Sequence, residues 1–256
     1  MELEQMRVGE LSVHVFETRK EMGLAAAKDA ERRINQVISE KSEATVVFAA
    51  APSQNELLAA LINANIDWTK VRALHMDEYI GLPEDYPAGF GNFLRNAIFD
   101  KLPFKEIHYL FSRELDPELL CGRYTKLIEK FPPDIVLLGV GENGHLAFND
   151  PGVADFSDPL AVKVVELDET CRMQQVNDGC FKKLEDVPTT AVTLTMSAIL
   201  NIPHAITVVP GITKAKAIDS MINGEISTQC PASILKKQKN AVLYLDKDSA
   251  QQIISL

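Results

Sequence analysis

Short β-branched apolar runs alternate along the chain with longer stretches in which apolar residues return at helical spacing. LSVHVF over 11–16 reads as a strand, and Thr18 then caps a helix that the spacing carries to about Ser42. TVVFAA over 45–50 is a continuous apolar run, as expected of a strand covered on both faces. Pro52 and Ser53 open a helix to about Asn63, because proline suits a first helical turn. VRALHM over 71–76 is the next strand, followed at once by Asp77. The pattern then predicts a helix over 90–100, a strand at IHYLF (107–111), a helix over 117–130 and a central strand at DIVLLGV (134–140). VKVVEL, AVTLT, AITVVP and AVLYLD continue the strand series, with a helix at about 212–222. This alternation predicts an α/β fold of the doubly wound kind, one mainly parallel sheet with helices on both faces. No repeat, low-complexity tract or linker interrupts it, so residues 1–256 read as a single domain.

Open α/β sheets bind ligands just beyond the carboxyl ends of their strands. Three segments fall there: AAPSQ at 50–54, DEY at 77–79 and GENGHLAFNDP at 141–151. They are far apart in sequence, but a parallel sheet gathers them on one edge.

Composition changes this picture in two ways. The formal net charge of −10 argues against a nucleic-acid surface, and it means that any substrate phosphate must be held by local donors. The amino-terminal MELEQMRVGELSVHVF lacks the apolar stretch of a signal peptide, and no run of about 18 apolar residues suggests a membrane span. The expectation is a soluble, cytoplasmic protein that contacts neither membrane nor nucleic acid. Cys121, Cys171, Cys180 and Cys230 show no C-x-x-C or zinc spacing and read as free thiols, with no metal or cofactor expected. Homo-oligomer formation is compatible with the sequence.

Gly139-Val140-Gly141-Glu142-Asn143-Gly144 matches G-x-G-x-x-G after a strand. A dinucleotide site needs a helix to begin there, and Pro151 stops any such helix within two turns. A tight turn presenting His145 at the strand end fits better. A lone histidine is more often structural, but Glu142, Asn143, Asn149 and Asp150 crowd the same loop and can fix its tautomer. Asp77 and Glu78 are adjacent carboxylates, read either as a solvated turn or as a general base at a pocket wall. Ser53 is by default an N-cap, although a helix start also offers N–H groups to an anion. Lys214, in Pro210-Gly-Ile-Thr-Lys214, adds a positive charge there or is merely a solvated helix lysine.

Taken together these segments resemble the glucosamine-6-phosphate deaminase/isomerase family. His75-Met-Asp77-Glu78-Tyr79-Ile-Gly81-Leu-Pro83 is similar to its M-D-E-Y-x-G-L-P signature. Residues 139–151 resemble its G-x-G-x-[DN]-G-H-I-[AG]-F-N-E-P loop, and 187–193 its V-P-x-x-A-[LV]-T segment. The likeness runs from about residue 12 to 246. It implies an aldose–ketose isomerisation coupled to loss of ammonia from a small phosphorylated amino sugar. By resemblance, Asp77 moves a proton between C2 and C1, and His145 assists ring opening with Asn143 and Asp150 orienting it. Lys214 matches the phosphate lysine and Ser53 the phosphate-loop threonine. Gln54, Glu78, Gly141 and Asn177 complete the expected substrate contacts.

Four departures stand out. The glycine-rich phosphate loop T-G-G-T-P is replaced by Ala50-Ala51-Pro52-Ser53-Gln54. The lid segment T-R-x-A-N-S-R-F-F becomes Thr170-Cys171-Arg172-Met173-Gln174-Gln175-Val176-Asn177-Asp178, so its second arginine has no counterpart. The loop glutamate is shortened to Asp150, and the basic pair of an effector site is not recovered around Lys163 to Val165. A related amino-sugar phosphate and a phosphate-free analogue therefore both stay open as substrates. The rival readings are a 6-phosphogluconolactonase-like hydrolase, whose loop continues toward S-L-F-P, and a non-catalytic sugar-phosphate sensor.

Overall fold

The computed structural model describes residues 1–110 and 116–254. Phe111, the last residue of the strand expected over 107–111, lies outside the described residues. The strands are β1 (Glu2–Val8), β2 (Leu11–Phe16), β3 (Ala44–Phe48), β4 (Val71–His75), β5 (Asp77–Tyr79), β6 (Glu106–His108), β7 (Ile135–Leu138), β8 (Val162–Glu166), β9 (Thr190–Leu194), β10 (His204–Val209) and β11 (Ala241–Asp246). The helices are α1 (Arg19–Lys41), α2 (Asn55–Leu61), α3 (Phe90–Ala97), α4 (Pro117–Lys130), α5 (Glu169–Asn177), α6 (Met196–Leu200) and α7 (Ala215–Asn223).

Eight strands form one sheet in the order β1-β2-β11-β10-β7-β3-β4-β6. Only the β1–β2 hairpin at its edge is antiparallel; the remaining neighbours run parallel. Both faces are covered, which is why the central strands read as unbroken apolar runs. Val46, Phe48, Ile135 and Leu137 face one core with Met22, Ile34 and Leu57. Val47, Val136 and Leu138 face the other with Met196, Ile218 and Met221. The period-2 alternation of each strand thus feeds two separate cores.

The doubly wound expectation holds, with one correction. VKVVEL and AVTLT do not continue the parallel series: β8 and β9 pair antiparallel with each other, and β9 pairs with β5, in a separate three-stranded sheet. An apolar run announces a strand but not which sheet it joins.

The long first helix follows its end signals. The Thr18 hydroxyl accepts from the Glu21 N–H at 3.2 Å, and Ser42 closes the helix in the left-handed region at φ 69°. Sheet order reverses between β3 and β7, because β4 and β6 extend one way and β10 and β11 the other. Such a switch point opens a crevice beyond the strand ends. The loops after β3, β4, β7 and β10 all reach it.

Candidate active site

A cavity of about 300 Å³ lies at that crevice, and both Asp77 and His145 line it. Asp77 is the first residue of β5, separated from β4 by Met76 alone. The chain changes sheets at this corner, and buried His75 holds it. Nε2 of His75 accepts from the Leu110 N–H at 2.9 Å, so Nδ1 is the protonated nitrogen and donates to the Asp77 carbonyl at 3.0 Å. Burial pushes His75 down to about 4, slightly offset by the Asp77 carbonyl, so the ring is neutral. Asp77 itself is only 6% exposed. Burial, and then the neighbouring Glu78 charge, raises its carboxyl well above the ordinary aspartate value.

The plainer reading of Asp77 and Glu78 as a solvated turn fails, since both are buried in a strand. Glu78, expected among the substrate contacts, points out of this cavity. Its carboxylate accepts from the N–H groups of Tyr79 (2.9 Å), Phe90 (3.0 Å) and Gly91 (2.8 Å), binding the start of α3 to β5. Burial raises Glu78 while those three N–H groups oppose the rise. Alternation across a strand explains its direction: neighbours point to opposite faces.

His145 is carried by the turn after β7. Its Nδ1 lies 2.8 Å from Oδ1 of Asp150. The contact is close without being an aligned hydrogen bond. Asn143 braces both partners: its Nδ2 donates to Asp150 Oδ1 at 2.8 Å, and its Oδ1 accepts the His145 N–H at 3.1 Å. Neither Asn143 nor Asp150 lines the cavity; they act from behind the imidazole. Burial alone would raise the Asp150 carboxyl, but His145, Asn143 and Cys171 hold it below the ordinary value.

The glycines are explained by this packing rather than by a nucleotide. A Cβ on Gly141 would sit 2.2 Å from Cε1 of His145, so only glycine lets the ring lie against the turn. Gly144 adopts φ +86°, the left-handed region. Ala147, which lines the cavity, is held at φ 50°, a strained value for a residue with a side chain.

One residue ties the two arms together. Thr193 of β9 is fully buried and pairs in register with Asp77. Its Oγ1 accepts the Phe148 N–H of the histidine loop at 3.1 Å and donates to the Leu194 carbonyl at 3.0 Å. Asn149 Nδ2 donates to the same carbonyl at 2.9 Å. The 187–193 motif contains Thr193, but nothing in its spacing shows that it touches both segments.

Ser53, Gly211, Thr213, Lys214, Gln174, Gln175, Asp178 and Arg19 also line the cavity. Lys214 is not the solvated helix lysine of the plainer reading: it is 5% exposed. Burial lowers its ammonium below the usual lysine value, against the attraction of Asp178 and Glu142. Ser53 lines the cavity but does not cap the helix; Ala51 occupies the cap, without a side-chain hydrogen bond. Pro52–Gln54 form a 3₁₀ turn, and α2 begins only at Asn55. Gln54, expected to touch substrate, is turned inward and donates to the Leu138 carbonyl at 3.2 Å. Asn177 is exposed and does not line the cavity; Gln174, Gln175 and Asp178 do. Arg172 is also turned away, donating to the Leu184 and Val187 carbonyls at 2.8 and 3.0 Å.

His145, Asp150 and Cys171 bring three ligand-type atoms within 4.8 Å of one another, the one such group among the described residues. Burial, with the nearby carboxylates of Asp150 and Asp168, raises the Cys171 thiol far above its usual range. A metal would need the thiolate. The trio fits a buried polar support behind His145 better than a cation site.

Residues 17–244 match the model of the glucosamine-6-phosphate isomerases and 6-phosphogluconolactonases. The chain belongs to this family. A glucosamine-6-phosphate deaminase from Bacillus cereus is 32% identical over 239 residues, 93% of this chain and 88% of the relative. One from Listeria welshimeri is 34% identical over 227 residues, 89% of this chain and 95% of the relative. Among solved structures, a monomeric glucosamine-6-phosphate deaminase superposes with a TM-score of 0.86 at 26% identity, covering 96% of this chain and 99% of the other. The 6-phosphogluconolactonase of Trypanosoma brucei shares the fold, with a TM-score of 0.79 at 18% identity over 98% and 100% of the two chains. No described helix is long and apolar enough to cross a membrane.

Proposed function

We infer that the protein is an amino-sugar-phosphate deaminase and isomerase, acting on a substrate of the glucosamine-6-phosphate type. The observation that carries this reading is the meeting of Asp77 and His145, from distant segments, on one cavity of about 300 Å³. Its size suits a single hexose phosphate.

In this reading His145, oriented by Asp150 and Asn143, takes the proton from the O1 hydroxyl and returns it to the ring oxygen, opening the sugar. The Asp77 carboxylate then removes the C2 proton while the substrate's own ammonium group gives a proton to O1, forming an enolamine, and Asp77 delivers the C2 proton to C1. Water adds to the resulting C2 iminium carbon, and ammonia leaves as the ketose phosphate forms. A buried carboxyl whose proton affinity is raised is a stronger base for a carbon acid than an ordinary aspartate. Lys214 takes the phosphate at the far end. The cytoplasm is the proposed location, in keeping with four unpaired cysteines.

The test is incubation of the purified protein with amino-sugar 6-phosphates and, separately, with 6-phosphogluconolactone. Ammonia and ketose phosphate should appear in equal amounts, and Asp77→Asn should abolish both. Lactone hydrolysis without ammonia release would replace this reading by the hydrolase, and ligand binding without turnover would replace it by the sensor.

A further inference from the structure

We propose that Arg19, at the start of α1, supplies the second phosphate contact that the lid segment lacks. The inference rests on the reading of a phosphorylated substrate and names the residue that selects for it.

Two cationic side chains, Arg19 and Lys214, line the cavity among the described residues. Lys214 is buried, and its ammonium makes no hydrogen bond or ion pair among the described residues. Burial disfavours its charged form, and an anion in the cavity would offset that cost. Asp178 lines the same end, however, and cancels one positive charge. With Asp178 offsetting Lys214, a phosphate gains from a further N–H donor on the cavity wall.

Arg19 is held ready for that role. Its Nε donates to Glu56 Oε1 at 2.9 Å and its Nη2 to Glu56 Oε2 at 3.0 Å. Nη2 also donates to the Pro52 carbonyl at 3.1 Å, fastening the guanidinium to the loop that presents Ser53. Glu56 does not line the cavity, so the bidentate pair orients the fork from outside. Nη1 is left without a hydrogen bond among the described residues. Asn177 and Arg172 of the lid segment both face away from the cavity, whereas Arg19 lines it. Alanine and proline in the 50–54 loop deny the close backbone approach that glycines allow, which increases the need for a side-chain donor.

The experiment compares the wild type with Arg19→Gln, Arg19→Lys and Glu56→Gln. Turnover is measured with glucosamine 6-phosphate and glucosamine, and binding with glucitol 6-phosphate, which cannot react. Arg19→Gln should raise KM for the phosphorylated sugar and weaken glucitol 6-phosphate binding by about ten- to a hundredfold, with kcat little changed. Any change with glucosamine should be much smaller than the change with the phosphorylated sugar. Arg19→Lys should recover only part of the loss, and Glu56→Gln should give a smaller one. Unchanged glucitol 6-phosphate binding in a folded Arg19→Gln variant overturns the proposal even if ammonia is released normally. Loss of that binding in the variant, with no ammonia from the wild type, supports Arg19 and rejects the deaminase reading instead.

Discussion

The two ends of the cavity are finished to different degrees. At the chemical end, Asp150 and Asn143 brace His145, while His75 and β9 fix the backbone of Asp77. At the anion end, a buried lysine has no partner among the described residues, and a carboxylate of opposite sign faces the same space. The protein itself preorganises the groups that move protons, because their placement must hold before substrate arrives. Lys214 is left without such a brace, so that the ligand completes it. The reacting imidazole is thus supported from behind, and the lysine is completed from the front.

The largest expected effect lies at the braced end. Asp77→Asn should lower kcat by about a thousandfold or more, because among the described residues Asp178 is the one other carboxylate lining the cavity. The same variant should melt at a higher temperature at neutral pH. Asp77 holds its proton more tightly folded than unfolded, so its contribution to stability is present at low pH and lost as pH rises through the folded value. Relative to low pH, the raised carboxyl therefore weakens the fold at pH 7, and asparagine removes that penalty. A variant that loses activity together with stability would mean Asp77 is structural.

At the open end, Lys214→Met should raise KM for a phosphorylated substrate about a hundredfold while leaving kcat nearly intact. Equal losses in kcat would show that Lys214 is engaged in the transition state, and the contrast between the two ends would fail.

Thr193→Val tests the brace itself. The Phe148 N–H would be left buried and unpaired, costing about 1–3 kcal/mol. Melting should fall accordingly, and kcat should drop with KM unchanged. A lower melting temperature with normal kcat would confine Thr193 to the core.

Glu78→Gln gives the smallest effect and the most diagnostic one. Its charge raises Asp77, so removing it lets Asp77 ionise more easily. The acid limb of kcat/KM should then move to lower pH. A limb that stays in place would assign it to another group.

What can be read in the sequence follows the same division. Helix α4 spans the expected 117–130, because Asp116 caps it and Pro117 opens it. Asp77 and His145 are legible because a carboxylate at a strand end and an imidazole in a dense polar loop both sit where α/β sheets hold ligands. The separate sheet of β5, β8 and β9 is not legible, since the alternation of a strand does not encode its neighbours. The anion end is the hardest to read. Arg19 follows a capping threonine and resembles any solvated helix residue, and its partner Glu56 is remote in sequence. Asn177, expected at the substrate, is on the wrong face of α5, one position short of Asp178, and a helix turns about 100° per residue. Only the packing of α5 on the His145 loop, where Gln174 accepts the Glu142 N–H at 2.9 Å, decides which face looks inward.

Thr193 also has a mechanical consequence. Asp77 hydrogen-bonds along the same strand, β9, that the histidine loop hangs from. Base and imidazole loop thus share one strand of the small sheet as an anchor, whereas Lys214 follows β10 of the large sheet. A change at Thr193 therefore reaches both reacting groups at once and leaves the cation where it is.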